Sequence, residues 1–165
     1  MAEHARPSRI PVTMLVVLAV VLAAGVVWAY LKDRDAQARA DDRDAALRAA
    51  GNHAVSLLSL NYKTIDADMR RILATSTGGA RSAYEANAGR LKETTVANKV
   101  IQYGVLRASG MVSQAETSAQ VLVVADVDIR WDGSKTPAQE RFYRWAMDVT
   151  KVGGVWLVSK AVQVE

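Results

Sequence analysis

Hydrophobic and polar positions divide this chain into three stretches with different periods. Residues 12–31 read VTMLVVLAVVLAAGVVWAYL, twenty positions without a charge and with only Thr13 and Gly25 off the apolar trend. As a helix this stretch is about 30 Å long, the thickness of a bilayer's hydrocarbon core. Trp28 and Tyr30 stand at its C-terminal end, where amphipathic rings settle among headgroups, and Lys32 and Arg34 follow within snorkelling reach. A cleaved signal peptide is the competing reading, with Arg6 and Arg9 as its charged region and Val27-Trp28-Ala29 as the cleavage tripeptide. Signal-peptide apolar cores run to about 7–15 residues, so the length favours a retained transmembrane helix.

The second stretch has helical periods. Residues 33–61 are predicted as a helix joined directly to the span, charged and alanine-rich, with no Gly or Pro before Gly51. Asp35–Arg39 and Asp44–Arg48 have the favourable i,i+4 order. Ala36, Ala40, Leu47, Ala50, Ala54 and Leu57 form a stripe that either self-associates as a stalk or docks its last turns on the chain's own domain. Alanines bury little area and Arg43 interrupts the stripe, so docking is expected. Thr64 is the expected N-cap of a short helix with Ile65, Met69, Ile72 and Leu73 on one face. Asp66 and Asp68 open that helix and Arg70 and Arg71 close it, which suits the helix dipole. Asp66-x-Asp68 also resembles a metal-binding pair, but without a phosphate-cradling loop or a further acidic ligand the two are read as surface carboxylates. Gly78-Gly79 is expected to end this helix, and residues 81–96 to form a third.

From Asn98 the period becomes two. Residues 100–113 are predicted as a strand with Gly104 and Gly110 as bend or bulge points. Residues 120–131 put Val121, Val123, Ala125, Val127, Ile129 and Trp131 on one face, and Asp126, Asp128 and Arg130 on the other. Asp132-Gly133 opens a turn, and Pro137 keeps the following loop out of the ladder. Residues 141–152 alternate again, with Tyr143, Trp145, Met147 and Val149 inward and Arg144, Asp148 and Thr150 outward. Gly153-Gly154 signals a hairpin into a return strand over 155–164. Three helices followed by about four antiparallel strands make an α+β domain with the helices on one face of a curved sheet.

Composition then narrows the chemistry. Half of the 165 residues are hydrophobic, there is no cysteine, and the net charge is +4. Thiolate metal sites, cysteine nucleophiles and disulfide scaffolds are excluded. The charge past residue 31 is too scattered for nucleic acid. No Gly-x-Ser-x-Gly, His-Glu-x-x-His or P-loop occurs. His53 has no acidic neighbour within four residues and is expected to serve in surface or helix packing. Tyr62, Tyr84, Tyr103 and Asp126 could converge as a proton-transfer set in a pocket, but the period turns Asp126 outward. Trp131, Trp145, Trp156 and the inward valines are expected to fill a core rather than line a cavity. No enzyme activity, catalytic residue, cofactor or metal is expected.

One resemblance covers nearly the whole chain. Beyond the N-terminal span it is carried by Leu57-Leu58-Ser59 and Tyr62 leading into the Thr64–Asp66–Asp68 helix, and by Gly79 and Tyr84. Val121–Val124, the Asp132–Pro137 loop and Gly154-Val155-Trp156-Leu157-Val158-Ser159 complete it. These features resemble the mammalian-cell-entry (Mce) associated membrane proteins of actinobacteria, with Ala80 standing where an aromatic residue is usual. The resemblance implies a nuclear-transport-factor-2-like cone outside the cytoplasmic membrane. It also implies an accessory role in stabilising or assembling Mce lipid-import complexes through non-catalytic contacts. Lys32, Arg34, Arg39, Arg43 and Arg48 outnumber Arg6 and Arg9, which counted naively puts the larger part in the cytoplasm. The rule weakens when 134 residues follow the span, so charge counting alone leaves orientation open. The expected organisation is a tail over 1–11, a span over 12–31, a stalk over 32–50 and a cone over 51–165. The expected partners are the bilayer and Mce transporter subunits or other membrane proteins. A lipid held in the cone, and a scaffold of a type IV secretion-like apparatus, are the alternatives.

Overall fold

The computed structural model describes residues 12–164, so the expected tail with Arg6 and Arg9 lies outside the described residues. Helix α1 runs Val12–Leu58, α2 Ile65–Ala74 and α3 Gly78–Ala97, followed by strands β1 Val100–Gln114, β2 Ser118–Trp131, β3 Gln139–Val152 and β4 Val155–Gln163. The chain divides into two compact units between Ala40 and Asp41.

In the first unit α1 has a window of mean hydropathy 2.6 with none of it buried, and it is long and apolar enough to cross a membrane. Every described side chain from Met14 to Leu31 is exposed.

The second unit begins earlier than the boundary expected at residue 51. Ala46 and Ala50 are fully buried, so the helix belongs to the globular unit ten residues sooner. The docking face is Ala46, Ala50, Ala54 and Leu58, packed on Val121, Val123, Val127, Met147 and Val149 of the sheet. Ala36 and Ala40, the first positions of the expected stripe, are exposed. Alanine suits this face because it lets the helix backbone lie close to the sheet. At Gly104 of β1 a Cβ would come within 2.5 Å of the Leu58 Cβ. Gly104 therefore marks a close helix–strand approach, where a bend was expected.

The sheet is a four-stranded antiparallel meander in the order β1-β2-β3-β4. Its two irregularities in β1 fall between Leu106 and Ala108 and between Met111 and Ser113, and neither falls at a glycine. Residues 75–77 run beside β4, where the Thr77 N–H donates to the Val158 carbonyl at 2.8 Å and the Val158 N–H to the Thr75 carbonyl at 3.1 Å. Gly78-Gly79 therefore starts α3, whereas the sequence suggested it would end α2. Gly78 has φ +50°, a region closed to most side chains, and makes the turn from this extended segment into the helix. Ala80 is buried in the main core, where the small residue lets α3 sit close.

A second apolar cluster of Leu60, Ile65, Met69 and Ile72 seats α2, with Tyr84 and Leu57 against it. Asp68 is 5% exposed and so is not the surface carboxylate the sequence suggested. It accepts from the Asn61 N–H at 2.9 Å, the Thr64 hydroxyl at 3.1 Å and the Arg71 guanidinium at 2.9 Å, which ties the α1–α2 turn together. Asp66 does stay at the surface, paired with Lys92 at 2.7 Å.

Candidate functional site: the outer face of the sheet

The helices cover one face of the sheet and leave the other open. Pairing sorts the open face into rows that cross all or most strands. One row is Tyr103, Asp128 and Glu140, and the next is Val105, Asp126 and Phe142. Then come Ala108, Val124, Arg144 and Val164, followed by Gly110, Leu122, Ala146 and Val162. Ser113, Gln120, Asp148 and Lys160 close the face. The middle three rows form an apolar band and the outer two a polar rim, the arrangement found in protein–protein interfaces. Phe142 is 69% exposed and Leu122 46%, so the band is open to solvent.

The carboxylates bordering or entering this band already have partners. The bulge in β1 carries Arg107 over Asp126, and the two form an ion pair. Asp126 does lie on the outward face, as its period requires, yet the Arg107 side chain leaves it only 7% exposed. Asp128 is paired with Arg130 at 2.6 Å. Among the described residues Arg144 has no hydrogen-bonding or ionic side-chain partner, and it stands in the middle row between Val124 and Val164.

The sequence pointed past this surface. Leu122, Val124, Phe142 and Ala146 occupy the outward parity that Asp126, Asp128 and Arg144 marked as polar. A signal was present in Val121-Leu122-Val123-Val124, a continuous apolar run of the kind that marks both faces of a strand as apolar.

The other candidates fall in separate places. Tyr62 donates to Asp132 in the exposed loop after β2, and that bond holds the Asp132 carboxyl below the usual range. Tyr84 lies inside, with its hydroxyl 3.0 Å from His53 Nε2, and Tyr103 is on the open sheet face. The four groups considered as a proton-transfer set therefore do not converge. His53 is fully buried where α1, the end of α2 and α3 meet. Its Nδ1 is 2.8 Å from Thr75 Oγ1, whose own hydroxyl donates to the Arg71 and Ile72 carbonyls at 3.1 and 3.0 Å. Thr75 has no proton left to give, so Nδ1 carries the hydrogen and Nε2 accepts from Tyr84. Burial lowers the His53 pKa to about 4 and raises that of Tyr84 to about 12, which keeps both neutral.

Trp145 and Trp156 are buried in the main core with the inward valines, and Trp131 packs against it. An open groove of about 410 Å³ lies beside α1, lined by Arg48, Asn52, Thr75, Val155 and Trp156 among others. Next to it Asp42 accepts from Lys151 at 2.7 Å and from the Trp156 indole at 3.3 Å. Those bonds lower the Asp42 pKa and fasten α1 to the β3–β4 hairpin.

Residues 8–165 match the family described as "Uncharacterized protein Rv1363c/MT1408-like". The uncharacterized protein Rv1363c of Mycobacterium tuberculosis is 28% identical over 140 residues, covering 84% of this chain and 52% of that protein. The chain thus spans about half the length of this relative. An IcmL-like type IV secretion system protein from Legionella pneumophila superposes with TM-score 0.58 at 15% identity, over 72% of this chain and 91% of that one. A putative scytalone dehydratase from Novosphingobium aromaticivorans gives 0.54 at 13%, over 79% and 89%. At such identities the likeness concerns the fold alone, and that fold is the nuclear-transport-factor-2-like cone.

Proposed function

Because the chain belongs to the Rv1363c/MT1408-like family, and because it combines a span-length apolar helix with a domain displaying an apolar sheet face, we propose that it is a single-pass membrane accessory protein acting through non-catalytic protein contacts. Its finer assignment is to an Mce-type lipid-import complex, which it stabilises or helps to assemble, with the cone domain outside the cytoplasmic membrane. The observation that carries the reading is the open band of Val105, Leu122, Val124, Phe142, Ala146 and Val162. A contiguous apolar face with a polar rim is costly to leave in water and marks a contact surface. The separation of Tyr62, Tyr84, Tyr103 and Asp126 supports a role without catalysis.

A lipid held in the cone fits less well. Ala46, Ala50 and Ala54 close on the inner valines with no exposure, and an acyl chain would have to displace α1. Purification of the full-length protein from native membranes in mild detergent tests the assignment. Co-elution with Mce permease or substrate-binding subunits in fixed ratio is expected. Recovery without those subunits, but with a stoichiometric lipid, would replace it.

A further inference from the structure

We infer that the outer sheet face receives an amphipathic helix of a partner protein whose apolar side presents one carboxylate to Arg144. The inference rests on the scaffold reading and names the chemistry of the partner. Three rows two residues apart span about 14 Å, and four strands span about the same. That area fits about three turns of a helix roughly 10 Å wide. Burying it desolvates Arg144, the one cation set inside the band without a partner among the described residues. Arg107 and Arg130, in contrast, are already neutralised by Asp126 and Asp128. A guanidinium left unpaired under an apolar cover is strongly unfavourable, so the complementary surface must bring an anion to it.

Two other occupants match less well. A second copy packed face to face about a two-fold axis would bring Arg144, in the middle row, against its own copy. A membrane surface would set anionic headgroups beside Glu140, which stands in the polar rim without an ionic partner among the described residues.

The test places a photoreactive benzophenone side chain at Leu122 in the full-length chain, in its native membrane, with Lys92 on α3 as a control position. The expected result is a protein adduct from Leu122 only, mapping to an apolar helical segment that contains an Asp or Glu. Arg144→Glu lowers the yield about tenfold or more. Exchanging the mapped acid for Arg restores it. Arg144→Gln gives the same loss while keeping the wild-type urea midpoint, which separates recognition from folding. A dimer of the chain, a lipid adduct alone, or a yield indifferent to Arg144→Glu would each overturn the inference. A protein adduct from Lys92 but not Leu122 moves the contact to another face and leaves the scaffold reading standing. Absence of protein adducts at both positions removes both readings.

Discussion

His53 joins three elements through two hydrogen bonds, and its burial keeps it neutral. Protonation would put a charge into that buried position, away from water. The folded-state pKa of about 4 lies below the ordinary 6.5, so the unfolded chain binds more protons across that interval. This share of stability is complete above pH 6.5, is lost as the pH falls toward 4, and is gone below it. The loss should reach about 2 kcal/mol by pH 5, read as a fall in urea midpoint between pH 7 and 5. His53→Gln should flatten that part of the pH dependence. An unchanged slope in the variant would assign it to the carboxylates. Asp68 is a buried carboxylate with three donors. Asp68→Ala strands the Asn61 N–H and should cost about 2–3 kcal/mol in chemical denaturation. A cost below 0.5 kcal/mol would mean that water replaces the carboxylate there.

At the scale of elements, two glycines face each other's elements with unequal tolerance. A Cβ at Gly104 meets the Leu58 Cβ at 2.5 Å and the Val55 carbonyl oxygen at 3.2 Å, neither of which moves without shifting the helix. Gly104→Ala should therefore destabilise by about 1–3 kcal/mol. A Cβ at Gly51 meets only the tip of Leu106, at 2.7 Å, and gains helix propensity of about 1 kcal/mol. Gly51→Ala should stay within about 0.5 kcal/mol of wild type, and urea midpoints of the two variants decide. Much of this architecture was legible beforehand because periods of 3.6 and 2 are local. The inward faces of β2 and β3 and the helix-then-strand order follow directly from them. What could not be read locally depended on distant partners. Gly104 looks like a bulge until α1 lies on it, and Asp68 looks like a dipole-favoured surface acid until Asn61 and Arg71 converge on it. The outer band is masked in the sequence because Asp126 and Arg144 occupy the same parity as Leu122 and Phe142. A charge labels a face as solvated unless its neighbours are weighed together.

For the whole molecule, the decisive quantity is the side of the membrane on which the cone lies. The chain has no native thiol, so Ser134→Cys in the exposed loop after β2 provides a unique label. Modification of intact cells by an impermeant maleimide is the expected outcome. Protection until lysis would put the cone in the cytoplasm and end the Mce assignment.

The two bulges of β1 bear on how such a protein assembles. A long, straight edge strand templates further strands, and chains that expose one tend to polymerise. Here β1 is broken twice, near Arg107 and near Val112, and β4 has residues 75–77 running beside it at Val158. Growth by strand addition is thereby discouraged at both margins. The open face can then be offered for side-chain contacts without the sheet edges joining copies into fibres.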